Sequence, residues 1–320
     1  MKKLIKPIVI LFLFVWLVPQ QVFAAQLLVP VGELIGIALQ DNSVTVVSFD
    51  PELGECSQKG GLKAGDRILS IDGQKTTCVQ DIKTALQKSG GTVKVTVLRG
   101  KKEKTLRLTP QITADGPKLG ILLKEGMTGV GTVTFYDPDS GRYGALGHGV
   151  HTTAGSLLTM RTGNAYGASL LTVKKGKIGT PGQLMGALQE ESCIGSVEKN
   201  THQGIFGKAN IPWQGQVLPV CSSKEIQTGT ATIRSTVEGD GVQEYSVEIL
   251  KIYPSDDTRN LLLKVTDPEL LSATGGIVQG MSGSPIIQNG KLIGAVTHVL
   301  VNDPTTGYGI FIENMLNAAA

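Results

Sequence analysis

Short runs of alternating or continuous apolar residues, separated by glycine-rich turns, recur along most of this chain. "IGIALQ" (Ile35–Gln40) and "SVTVVSF" (Ser43–Phe49) are two β-rich runs joined by Asp41-Asn42, a hairpin-like signal. After the turn-rich stretch Gly60–Thr77, "VQDIKTALQKS" puts Val79, Ile82 and Leu86 on one helical face, and Gly90-Gly91 ends it. "TVKVTVLRG" (Thr92–Gly100) alternates at period two, and "KEKTLRLTP" supplies a closing strand. Together these predict a small, partly open β-barrel with a helix beside one groove. "QITADGPKLG" (Gln111–Gly120) has a linker's composition and puts a domain boundary near residue 112.

The second half reads as more of the same pattern. β-runs are expected at Gly129–Asp137, Ala231–Val237, Glu244–Tyr253 and Asn260–Asp267. "SPIIQNGKLIGAVTHV" is a hairpin turning at Asn289-Gly290. Long helical periodicity is missing from Lys118 to Ala273, so this half is mostly β and large enough for two packed barrels.

The first residues stand apart. Lys2, Lys3 and Lys6 precede the uncharged run Pro7–Pro19, and small residues follow at Ala24-Ala25. That is the layout of a signal peptide or of a retained membrane anchor, and either implies export. The expected organisation is therefore residues 1–25 as targeting segment, 26–111 as first domain and 112–320 as second.

Composition adds exclusions. With 18% charged and 41% apolar residues the chain is globular, and 41 glycines against 5% aromatics suit a β-rich protein with many tight turns. A net charge of +3, partly in the first six residues, leaves no basic stripe for nucleic acid. Cys56, Cys78, Cys193 and Cys221 are an even set in an exported chain, so disulfides are open to them. Pairing 56 with 78 and 193 with 221 would keep each bridge inside one domain. No CxxC pair or histidine cluster points to a metal, and no cofactor is implied.

The candidate chemistry centres on "GMSGSP", Gly280 to Pro285. A serine nucleophile needs a base, a group that orients the base, and donors for the oxyanion. Glycines on both sides of Met281-Ser282 permit a sharp turn from which the amides of Gly280 and Ser282 can converge. The base must be His148, His151, His202 or His298. His148, between Gly147 and Gly149, has the local backbone freedom to project into a cleft. His202 suits a solvated loop, and His298 a core or supporting position. Four aspartates separate His148 from Ser282: Asp240, Asp256 and Asp257 lie in polar turns, and Asp267 follows an apolar strand. Asp267 before Pro268 fits a helix N-cap as well as an orienting carboxylate, and both readings stand at this point.

Two resemblances sharpen the picture. "GLKAGDRILSIDG" (Gly61–Gly73) resembles a PDZ domain over about eighty residues. That implies peptide binding by strand addition, with Val31–Ile37 in the place of the carboxylate-binding loop and Leu34, Ile35, Gly36 and Ile37 at the groove. "GALGH", "KVTD" and "GGIVQGMSGSPIIQNGKLIGAVTHVLVNDPTTGYGIFIENML" then resemble the stage IV sporulation protein B peptidases over nearly the whole chain.

The second resemblance implies a chymotrypsin-like β-barrel serine peptidase behind the PDZ domain, with His148, Asp267 and Ser282 as its triad. It also implies an endospore former and release into the forespore intermembrane space. The implied partners are the peptidase itself and a membrane-bound regulator of an intramembrane protease, leading to pro-sigma-K processing. Met281 stands where trypsin-like enzymes often carry an acid, so activation through a new N-terminus is not available. Two rival readings are a quality-control exported protease and a non-catalytic PDZ scaffold.

Overall fold

The structure, a computed structural model, describes residues 26–152, 155–239 and 241–320. The expected targeting segment, residues 1–25, and Asp240 lie outside the described residues. In chain order the elements begin with β1 (Leu27–Pro30), β2 (Leu34–Phe49), α1 (Glu55–Lys59), β3 (Arg67–Ile71), β4 (Gln74–Lys75) and α2 (Val79–Lys88). Next come β5 (Val93–Arg99), β6 (Lys102–Leu108), β7 (Gln111–Thr113), β8 (Gly116–Lys118), β9 (Ile121–Asp137) and β10 (Arg142–Ala145). They continue with β11 (Met160–Lys174), β12 (Gln183–Thr201), β13 (Gly204–Ala209), β14 (Leu218–Pro219), β15 (Gly229–Ser235) and β16 (Gln243–Ile252). The last are β17 (Leu261–Val265), α3 (Pro268–Thr274), β18 (Pro285–Gln288), β19 (Lys291–Leu300), β20 (Asp303–Phe311) and α4 (Ile312–Ala319).

The protein is mainly β, as the alternation predicts. Pairing in the order β2-β9-β10-β13-β12-β11 and back to β2 closes a first barrel. A second closes through β15-β16-β17-β20-β19-β18. Alternating inward residues build each core: Ile35, Ile37, Val133 and Ile205 in the first, Ile233, Val247, Leu263 and Ile286 in the second. Leu28, Phe135, Phe206, Leu292, Ile310 and Met315 form a shared cluster where α4 joins the two. Each such side chain contributes about 1.5–3 kcal/mol on burial, so the barrels are fixed against each other rather than hinged.

The PDZ core is a separate cluster of Val44, Ile68, Ile82, Leu86 and Val95 around α2. It does not precede the barrels; it is inserted into the first one. Strand β2 begins in that barrel, where Leu34–Leu39 pair with β9 and Ile35–Asp41 with β11. It then continues into the PDZ domain, where Val44–Phe49 pair with Ile121–Glu125. Strand β9 makes the return journey.

Three expectations are corrected by this topology. Asp41-Asn42 is no hairpin turn; it lies within β2 at a register shift between Leu39 and Val44. Gln111–Gly120 is no linker, because it folds as the β7–β8 hairpin and the boundary falls nearer residue 125. Leu34, Ile35, Gly36 and Ile37 are no peptide groove: they are buried and paired on β9, with Ile35, Gly36 and Ile37 also paired on β11. That stretch, at the head of β2, carries no free edge for a ligand strand. Cys56, Cys78, Cys193 and Cys221 are free thiols, so the suggested bridges are absent from the structure.

Candidate active site

Ser282 sits on a turn whose backbone is pinned from several sides. The N–H groups of Gln279, Met281 and Gly283 donate to Gly182, Val278 and Val296 carbonyls at 2.9, 3.1 and 2.8 Å. Thr132, on β9, donates its Oγ1 to Gly280 O at 2.8 Å and its N–H to Ser282 O at 3.0 Å. Met281 is fully buried beneath the turn. Among the described residues, the N–H groups of Gly280 and Ser282 donate to no protein acceptor. Two free amides two residues apart, on a turn whose carbonyls are both held, are what an oxyanion requires.

The glycines are obligatory here for two reasons. Gly280 and Gly283 both have φ of +99°, a region that side chains avoid. A Cβ on Gly283 would also lie 2.0 Å from Thr132 O and 2.5 Å from Leu146 N. The serine turn thus packs directly on the histidine turn.

That second turn follows β10. Leu146 and Gly147 take φ of +69° and +66° in succession. For a leucine this conformation costs on the order of 1–3 kcal/mol, and such strain gathers at functional sites. It projects His148 into the cleft. His148 Nδ1 lies 3.0 Å from Gly149 O, and His151 Nδ1 lies 3.0 Å from the same oxygen. A carbonyl only accepts, so Nδ1 of His148 carries the hydrogen and Nε2 keeps its lone pair. Burial holds the His148 pKa below its ordinary value; the Gly149 hydrogen bond opposes this, and the charge of His151 adds to the lowering. The imidazole is therefore a free base at neutral pH.

The cleft between these turns has a volume of about 560 Å³. Ser282, His148, His151 and His298 all line it, with Met127 and Val130 of β9 on one wall and Val299 and Val301 on another. Ser282 Oγ donates to Thr297 O at 2.9 Å, so in this state its hydrogen faces away from His148. The His148 and His298 rings pack with centroids 5.2 Å apart and planes tilted by 39°. The pKa of His298 is pushed down to about 4, first by burial and then by the charges of His148, Arg259 and His151.

The structure brings Ser282 and His148 to one cleft and leaves Asp267 outside it. Asp267 caps α3: its Oδ1 accepts from the N–H of Glu269 and Leu270 at 3.0 and 3.1 Å, with Pro268 at the first helical position. Its Oδ2 accepts from Ser246 N–H at 3.2 Å. Among the described residues no carboxylate lines the cleft, and the partner of His148 Nδ1 is a backbone carbonyl. Of the two readings open for Asp267, the geometry matches the cap. His298, which the sequence offered a core or supporting position, packs on His148 instead. His202 packs against His151, at 5.9 Å between centroids, and does not line the cleft.

The PDZ domain has its own groove, of about 610 Å³, between α2 and the start of β9. Val79, Ile82 and Leu86 form one wall and Ile121–Leu123 the other. Ile121–Leu123 pair with β2 along one edge. Among the described residues their other edge has no partner strand. At its end, the N–H groups of Leu119 and Gly120 donate to no protein acceptor among the described residues. Leu119-Gly120-Ile121, a glycine between two apolar residues, was the sequence signal for this loop. It lay hidden in a stretch that reads as linker.

Two family profiles match the chain, one over each part. A PDZ-domain profile matches residues 34–109. A putative zinc metalloprotease of Mesorhizobium japonicum is 34% identical over 73 residues, which cover 22% of this chain and 20% of that protein. This chain therefore spans only about a fifth of that relative. Among solved structures, the PDZ domain of the SdrC-like protein from Listeria monocytogenes is 28% identical. It covers 26% of this chain and 87% of its own, with a TM-score of 0.22. The active form of the Rv3671c protease from M. tuberculosis is 16% identical, covering 60% of this chain and 73% of its own, with a TM-score of 0.37. The SpoIVB peptidase S55 profile matches residues 115–316, which take in both barrel turns and the cleft between them, and the chain belongs to that family of serine peptidases.

Proposed function

We propose that Ser282 and His148 carry out peptide-bond hydrolysis, with the amides of Gly280 and Ser282 as oxyanion donors. The observation that carries this reading is the pair of unengaged N–H groups on a pinned turn beside the serine hydroxyl. In the reaction, Ser282 Oγ leaves Thr297 O and gives its proton to Nε2 of His148 as the oxygen bonds to the scissile carbonyl carbon. The carbonyl oxygen takes up negative charge against the two amides. The imidazolium, its Nδ1–H still on Gly149 O, then protonates the departing amine. Water repeats the sequence on the acyl-enzyme and restores Ser282. Asp267 acts in this reading by capping α3, whose C-terminal end leads into the serine turn.

The substrate reading rests on the family. A sporulation signalling peptidase of this type cleaves itself and a membrane-bound regulator of an intramembrane protease, leading to pro-sigma-K processing in the forespore intermembrane space. The PDZ groove supports recruitment of a chain terminus or extended segment by strand addition along Ile121–Leu123.

The test is labelling with a fluorophosphonate probe, mapped by mass spectrometry, beside cleavage of the candidate regulator. Labelling of Ser282 that is lost in His148→Ala supports the chemistry. Broad digestion of unfolded proteins with no preference for the regulator would instead favour a quality-control protease.

A further inference from the structure

The β11–β12 hairpin is longer than the first barrel requires, and its tip crosses to the second. There Gly176 N–H donates to Thr274 O and Gly179 N–H to Val301 O, each at 2.8 Å. Lys175 Nζ bonds the Ser272 carbonyl. Gln279 and the 182–184 segment bridge the hairpin to the serine turn, with Leu184 fully buried against it. The tip is thus held firmly and is not a loose loop.

What it leaves outside is unusual for so well-braced a segment. Ile178 is 81% exposed, Leu171 69% and Met185 49%. Lys174, Lys175 and Lys177 stand exposed among them. From Met160 to Gln189 the chain has no aspartate or glutamate, and every charge is positive. The acid on the facing β19–β20 turn, Asp303, is engaged by the hydroxyls of Thr305 and Thr306.

We propose that this hairpin tip is a docking surface for an anionic lipid bilayer. Ile178 and Leu171 enter the headgroup layer, and Lys174 and Lys177 meet the lipid phosphates. An exposed isoleucine on the turn and an exposed leucine near the end of β11, with lysines between them, match a fluid anionic surface. Pro181 and Val301, at the base of the tip, line the catalytic cleft. Docking therefore sets the cleft mouth beside the membrane and favours scissile bonds in chain segments that lie close to a bilayer.

The experiment places a reporter at the tip of the full chain and needs no catalysis. Ile178→Trp is made in a Ser282→Ala background, and its emission is compared with the parent, which carries Trp16 and Trp213. Vesicles are phosphatidylcholine alone or an equimolar mixture with phosphatidylglycerol, each with and without bromolipid. The difference spectrum isolates the tip even if another segment holds the chain on the vesicle. The expected result is a blue-shifted, bromolipid-quenched component in the anionic vesicles only. Lys174→Glu/Lys177→Glu reduces it roughly tenfold or more, and high salt weakens it. A water-like component in both vesicle types overturns the proposal, as does equal quenching in neutral vesicles. A concentration-dependent dimer that Ile178→Ser dissolves, with no lipid effect at the tip, overturns it in favour of a second copy of this chain.

Discussion

Thr132 ties Ser282 to the opposite barrel: its backbone N–H donates to the Ser282 carbonyl at 3.0 Å while its hydroxyl holds Gly280 O. One buried threonine of the first barrel thereby fixes the two carbonyls whose neighbouring amides stay free. The proposed nucleophile and oxyanion donors are thus held from across the cleft.

Thr132→Val keeps the side-chain shape and removes only the hydroxyl bond to Gly280. The Gly280–Met281 peptide then keeps only the Met281 N–H bond to Val278 O, and kcat falls about tenfold to a hundredfold with little change in KM. Steady-state kinetics on a peptide substrate read this directly. A rise in KM at constant kcat would show that Thr132 acts on binding rather than on the oxyanion.

Gly283→Ala meets a Cβ contact of 2.0 Å with Thr132 O at a φ of +99°. Neither backbone can yield without moving the serine turn or the histidine turn. A loss of stability of about 2–4 kcal/mol is expected in chemical denaturation, with loss of fluorophosphonate labelling. A fully stable, labelled variant would mean the two turns are not packed as described.

Asp267 separates a cap from a triad member. As a cap, Asp267→Asn retains an acceptor for Glu269 and Leu270 and keeps activity within a few-fold. Asp267→Ala costs about 1 kcal/mol, and its kcat per folded molecule is unchanged. If Asp267→Asn instead lowered kcat by about 10⁴-fold at unchanged melting temperature, the carboxylate would have to swing onto His148 during catalysis.

The histidines predict a pH profile. Burial depresses His148, so the acidic limb of kcat/KM lies below the ordinary histidine value of 6.5. His151→Gln removes a positive neighbour and moves that limb upward. Stability follows the same sign. His148 and His298 have folded pKa values below their unfolded ones, with His298 at about 4. Their neutral forms support the fold above about pH 6.5, and that support is lost as pH falls toward 4. Thermal melts between pH 7 and pH 4 should show a falling midpoint, with a shallower fall in His298→Phe.

Much of the candidate site was legible because its determinants are local. Gly280, Gly283 and Gly147 announce tight turns by residue type alone, and Ser282 and His148 ride on them. Asp267-Pro268 announces a helix start by the same logic. The misreadings of the fold were of strand pairing. "VGELIGI" reads as an edge loop only until β9 and β11 are seen on its flanks, and those partners lie roughly a hundred residues away. Asp41-Asn42 carries turn chemistry, yet a strand on either side holds it extended. The end of Gln111–Gly120 reads as linker because Leu119 faces a groove whose other wall, α2, is distant in sequence. His298 joined His148 only through the closure of two barrels, which no spacing reveals.

The two strand crossings at β2 and β9 have a practical consequence for dissection. Cutting the chain near residue 112 would not release a peptidase, because β1 and the first half of β2 belong to its barrel. The PDZ domain is better removed as a surgeon removes an inserted loop. Leu39 and Met127 already face each other across the antiparallel ladder. A two-residue Asn-Gly turn joining Gln40 to Gly126 would close that ladder into an ordinary hairpin and leave the barrel whole.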